Sequence, residues 1–185
     1  MPAALDAAEK AEIIDRLFVV FRDRGYEGAS VADLSRATGL GKSSLYHHFP
    51  GGKDQMAEAV LQKAKTFIEN AVAEVARSPE PLKARIRKVV KALDKIYAGG
   101  RNPCVLGQLA SSEIAPAARQ TLREIFAVWI DAIAALAHES GISHARARQF
   151  AEDWVARLQG ALVLQAANGD CGPFERALSA LLKLA

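Results

Sequence analysis

Ser30-Val31-Ala32-Asp33-Leu34-Ser35-Arg36-Ala37-Thr38-Gly39-Leu40-Gly41-Lys42-Ser43-Ser44-Leu45-Tyr46-His47-His48-Phe49 is the stretch on which the reading of this chain turns. Ser30 and Asp33 form a capping box. The serine oxygen accepts from the Asp33 amide, and the carboxylate reaches back to the start of the helix. A helix over Ser30 to Thr38 follows, with Val31, Leu34 and Ala37 facing inward. Gly39 suits the left-handed residue that ends a helix and turns the chain sharply. Leu40 plugs the corner, and Gly41 opens a second short helix that runs to Phe49. Two helices joined by a glycine-bearing turn of three or four residues are the supersecondary unit that reads DNA.

The second helix tests that reading. Residues advance by about 100° on a helix, so Leu45 and Phe49 share one face and point into a core. The opposite face centres on Ser43 and His47, flanked by Ser44 and Tyr46. Small hydroxyls near its start let the backbone approach a groove floor, while hydroxyls and imidazoles meet base edges or phosphates. Pro50-Gly51-Gly52 then breaks the chain before Lys53. A lysine in the first turn of a helix opposes the helix dipole, and a phosphate there reverses the sign.

Ala37 to Phe49, followed closely by Lys53-Asp54, resembles the signature of the TetR family of repressors, and Phe49-Pro50-Gly51-Gly52-Lys53 is similar to its LmrA/YxaF-like subgroup. The three-residue spacer before Lys53 is one longer than is usual in the family. The resemblance implies an all-α protein of about nine helices. It implies a helix-turn-helix head at 1–52 and an effector-binding and dimerisation domain at 53–185. It further implies a homodimer on a near-palindromic double-stranded operator and a small apolar or amphipathic effector. No cofactor or metal is called for. By matching positions, DNA contacts are expected at Ser30, Lys42, Ser43, Ser44, Tyr46, His47, His48 and Lys53. Lys42, Ser43 and His47 are the base-reading candidates; Tyr46 and His48 are mainly phosphate ligands.

Outward from the motif, every segment has helical period and none alternates convincingly as a strand. Ile13, Leu17, Val20 and Phe21 mark a first helix ending near Gly25, and an unbroken helix is expected from Lys53 towards Arg77. Leu82 to Ile96 follows, closed by Gly99-Gly100. Then come a short helix through Ala110, a long one from Pro116 towards Gly141, another over Ser143 to Asn168, and a last one opened by Pro173.

Half of the residues are hydrophobic, enough for a real core, yet no apolar run reaches the ~18 residues of a membrane span. Met1 to Lys10 does not read as a signal peptide, so the cytoplasm is the expected compartment. Cys104 and Cys171 stand far apart and are expected as thiols. For Cys104 a plain buried thiol is preferred to a redox sensor. Charge does not announce a nucleic-acid binder. Residues 1–55 hold seven cations against eight carboxylates, 56–98 nine against five, and 99–185 eight of each. The basic run Lys83, Arg85, Arg87, Lys88, Lys91 and Lys95 reads as a solvated face before it reads as a second DNA surface.

Phe126, Trp129 and Ile133 share a helix face, which fits a ligand cavity and ordinary core equally well. Gln108, Ser111 and Gln159 are candidate polar anchors for such a ligand. Trp154, Leu158, Ala161, Leu162 and Gln165, beside Gly160, offer more apolar surface than one side of a subunit core hides. With Phe174, Leu178 and Leu181 of the last helix they are expected to form the four-helix interface that the resemblance implies. Two rivals stand beside this reading. A constitutive DNA binder without effector needs a fully packed C-terminal core. A helical enzyme needs a nucleophile with a paired base or a metal spacing, and the sequence offers neither.

Overall fold

A computed structural model describes residues 7–185, and among these every regular element is a helix. α1 (Ala7–Gly28), α2 (Val31–Thr38) and α3 (Lys42–His48) precede α4 (Gly52–Ile68). A π-helical turn, Glu69–Ala73, leads into α5 (Glu74–Arg77). α6 (Leu82–Ile96), α7 (Val105–Ala110), α8 (Pro116–Glu139), α9 (His144–Asn168) and α10 (Gly172–Leu182) complete the chain. It divides into two compact units. One holds the described residues up to Lys65 with Val105–Arg123, the other Thr66–Cys104 with Glu124–Ala185.

The first unit is built around Leu17, Phe21, Leu34, Leu45 and Phe49, all essentially without exposure, together with Met56, Val60, Leu61 and Leu109. Burying each such side chain stabilises the unit by roughly 1.5–3 kcal/mol. α1 breaks at Gly25, whose φ of 68° is left-handed. The break turns Tyr26 and Glu27 off the helix course. The Tyr26 hydroxyl donates to Asp54 of α4, and the Glu27 carboxylate accepts from the Glu113 amide at 2.9 Å. Two consecutive residues thereby knit α1 to two other parts of its unit.

The expected unbroken helix from Lys53 to Arg77 instead contains the π turn. Met56, Val60, Ala64, Ile68, Val72 and Ala76 are all buried, at a strict spacing of four. Four residues exceed an α-helical turn by about 40°, so such a stripe drifts around the cylinder. A π turn widens the local repeat and returns Val72 and Ala76 to the buried side.

In the second unit the core runs through Ile86, Val89, Leu93, Trp129, Ile133, Leu136, Trp154, Leu158 and Phe174. The Trp154 indole donates to the Ala177 carbonyl at 2.7 Å, tying α9 to α10. Gly100, at φ 90°, lies under Phe174, where an added Cβ would come within 2.9 Å of the ring.

Arg85, part of the basic run expected to face solvent, is buried. Its guanidinium donates to the carbonyls of Ala76 at 2.6 Å and Glu80 at 2.7 Å, and pairs with Glu139. It therefore satisfies the backbone where α5 stops, which a serine-proline break leaves open. Arg85→Ala is expected to destabilise the protein by about 2–4 kcal/mol, because buried acceptors lose their donor. Most of that loss belongs to the carbonyls, since Glu139 is half exposed and its ion pair is screened. Urea unfolding of the two proteins measures it; a change under ~0.5 kcal/mol contradicts this account.

Candidate nucleic-acid interface

The geometry of the motif starts at the cap. Ser30 Oγ accepts from the Asp33 amide at 3.1 Å and donates to the Asp33 carboxylate at 2.6 Å, which also accepts from the Ser30 amide at 3.3 Å. Arg24 and Arg36 reach the same carboxylate at 2.9 and 3.1 Å. The Ser30 hydroxyl, then the two arginines, hold the Asp33 carboxyl below its ordinary value of 3.8. A lowered value means the cap is complete above that pH and is lost as pH falls through the lowered value.

Gly39 ends α2 at φ 74° and donates to the Ser35 carbonyl. Inside the turn, the Ser35 hydroxyl donates to the Leu40 carbonyl, and buried Thr38 donates to the Leu34 carbonyl at 2.8 Å. Arg16 of α1 donates to the Thr38 carbonyl at 3.1 Å. α3 then leaves Gly41, turning Leu45 fully inward with Phe49 behind it. Lys42, Ser43, Tyr46 and His47 are exposed, and Ser44 and His48 are half-buried. The outward face is thus one cation, one free hydroxyl, one phenol and one imidazole on two turns.

Two expected DNA ligands are engaged within the chain. The Ser30 hydroxyl both donates and accepts within its cap. Lys53 Nζ donates to the Tyr26 carbonyl at 2.8 Å and lies 4.2 Å from the centre of the Tyr26 ring. Burial, then the bond to Asp54, pushes the Tyr26 phenol up to about 12. The longer spacer is accommodated at Gly52, which adopts φ 62° and lies close against the Tyr46 ring. The sequence carried no signal for Tyr26, Arg16 or Thr38, because their partners lie on elements that meet only in the fold.

The chain matches two family models. Residues 13–60 match the model for bacterial regulatory proteins of the TetR family, and 80–180 match that for the LmrA/YxaF-like transcriptional regulator C-terminal domain. The chain belongs to the TetR family of transcriptional regulators. It is 24% identical to the HTH-type transcriptional regulator LmrA of Bacillus subtilis over 86% of each chain. It is 26% identical to the regulator YxaF of the same organism, over 91% of this chain and 89% of that one. A TetR regulator from Legionella pneumophila has the same fold, with a TM-score of 0.84 at 19% identity over 99% of this chain and 98% of that one. As a TetR-family member the chain is a DNA-binding regulator and not an enzyme.

Outside the head, the expected effector residues divide between the two units. Phe126 stacks on Trp129 at 6.3 Å, Ile133 is fully buried, and Gln159 donates to the Cys104 sulfur at 3.4 Å, all in the second unit. Gln108 and Ser111 belong to the first unit, where Gln108 lies beside Gly25 and Ser111 is exposed. Trp129 is entirely buried, yet its indole N–H has no acceptor. Tyr97 lies 3.3 Å from the Cys104 sulfur, so that buried thiol has two polar neighbours. An open groove of about 750 Å³ between α8 and α9, floored by Ala134, Ala135 and Ala145, is lined by none of the six expected residues.

The expected interface residues lie differently as well. Trp154, Leu158, Ala161, Leu162, Phe174, Leu178 and Leu181 are buried inside one chain, and only Gln165 is half-exposed. They build the α9–α10 packing of the subunit. Among the described residues of the second unit, the large apolar side chains left in solvent are Val163 (69% exposed), Leu164 (50%) and Leu182 (40%), which helical periodicity alone does not single out.

Proposed function

We propose that this TetR-family protein is a ligand-responsive repressor that binds a near-palindromic operator as a homodimer and leaves it when a small effector binds. The observation that carries the reading is the outward face of α3, where Lys42, Ser43 and His47 stand free while Leu45 anchors the helix from behind. Residues 1–52 act as the reading head, and 53–185 supply dimerisation and the effector site. Lys42, Ser43 and His47 meet base edges; Tyr46, His48 and Lys53 meet phosphates. The orphaned indole N–H of Trp129 supports the effector half. A buried donor without a partner costs about 1–3 kcal/mol until an acceptor arrives. A ligand that reaches this N–H must bring an acceptor, such as a carbonyl or ether oxygen. Such a ligand acts by preferring the conformation whose heads no longer match the operator.

Footprinting on DNA upstream of the chain's own and neighbouring coding regions tests the proposal. Two protected half-sites related by a dyad are expected, and protection should fade as a carbonyl-bearing small molecule is titrated. Protection unchanged across a broad panel of such compounds makes the protein a constitutive binder.

Lys53 separates positioning from reading. Its ammonium has three donors, of which Tyr26 occupies one through its carbonyl and faces another with its ring. The remaining donor reaches one phosphate. Lys53→Ala is expected to weaken operator and scrambled duplex alike and to reduce the slope of log affinity against log salt by about 0.9. A salt titration of both duplexes measures this, and a native slope in the variant removes Lys53 from the interface.

A further inference from the structure

The reading head of this DNA-binding protein carries no net positive charge, with seven cations against eight carboxylates over residues 1–55. Long-range attraction to a polyanion must therefore come from elsewhere in the chain. Residues 56–98 hold the surplus, nine cations against five carboxylates, and α6 concentrates it. Lys83, Arg87, Lys91 and Lys95 follow one another at intervals of four and are all exposed. They form a winding stripe, with cations roughly 6 Å apart along the axis and turned about 40° from one to the next.

Two observations separate this ridge from an ordinary solvated face. None of the four has an ion pair or hydrogen bond among the described residues, whereas the neighbouring Lys88 pairs with Glu80 and Arg85 with Glu139. Secondly, the ridge works against its own helix. Like charges at i and i+4 destabilise a helix, and Lys83 opposes the dipole in the first turn. Asp94 is the one carboxylate of α6. Mixed charges would serve solubility equally well without that cost.

We propose that the α6 ridge is a second, sequence-independent docking surface for the phosphate backbone of duplex DNA. A stripe of unpaired cations that winds around a helix follows a curved line of phosphates and requires no base. Each engaged cation releases condensed counterions, so the contribution is visible in the salt dependence.

The test is the full-length variant Lys83→Gln, Arg87→Gln, Lys91→Gln and Lys95→Gln. All four positions are exposed, and removing like-charge neighbours keeps or raises its melting temperature. Affinity for a long scrambled duplex and for a long duplex containing the operator is titrated with salt. The slope against log salt is expected to fall by about two units or more, with low-salt affinity for scrambled DNA down roughly tenfold. The ratio of operator to scrambled affinity should stay near its native value. An unchanged slope with operator selectivity intact overturns the ridge alone; a native chain without affinity for any duplex overturns the DNA partner with it. If the variant instead loses binding to phosphatidylglycerol vesicles while its DNA slope is native, the ridge is a lipid-facing surface and the proposal fails.

Discussion

Replacing Val163 and Leu164 together with arginine is expected to leave a folded monomer that no longer holds its operator. Both side chains stand in solvent on α9, one turn beyond Gly160, where an added Cβ would meet nothing within 4 Å. Exposed Leu182 on α10 adds to the same class of unburied apolar surface. In an isologous interface each of these residues occurs twice, so the double substitution places four unpaired charges in it. A dimer engages two half-sites, the second effectively intramolecularly, and losing that linkage weakens binding by about 10²–10⁴-fold. Sedimentation at micromolar concentration and a mobility shift measure the two consequences. Leu162→Arg is the contrasting control. That side chain is buried within the subunit, so its replacement is expected to unfold the chain and not merely to split it. A native protein that sediments as a monomer and still binds a two-half-site operator refutes the proposed interface.

The double replacement of Ser43 and His47 by alanine carries the other large effect. Both are exposed on α3, so the melting temperature should move little. A good base contact discriminates by about 1–3 kcal/mol, so losing two is expected to weaken operator binding by roughly 30-fold or more. Scrambled DNA should be bound as before and the salt slope should hold, because both side chains are assigned to base edges and not to phosphates. Operator affinity equal to that of the native protein would place base reading on another face of α3. Affinity lost equally for operator and scrambled duplex would make the pair phosphate ligands.

How much of this was legible before the fold was seen depended on the range of the interactions. The capping box of Ser30 and Asp33, the left-handed Gly39, the inward Leu45 and Phe49 and the outward Ser43 and His47 follow from residues a few positions apart. Local dihedral preferences and the helical repeat specify them. Helix order and most boundaries follow for the same reason, as does the family. The π turn at Glu69–Ala73 was foreshadowed by the four-residue spacing of Ile68, Val72 and Ala76, a drift that an expectation of uniform α-helix overlooks.

Tertiary packing decided the rest. Periodicity names the apolar stripe of α9 but does not say what covers it: Trp154, Leu158 and Leu162 are covered by their own subunit, and Val163 and Leu164 are left over. Nor does a basic run say which member is buried, and only the fold turns Arg85 inward onto the Ala76 and Glu80 carbonyls while leaving Lys83, Arg87, Lys91 and Lys95 outside. Lys53 looked like a free cation at a helix start until Tyr26, 27 residues earlier, supplied a carbonyl and a ring for it. The sequence by itself determined the helices, the reading motif and the family, because those rest on short-range geometry. Which polar groups have partners and which faces are covered depends on residues distant in the chain, and the tertiary structure alone brings those together.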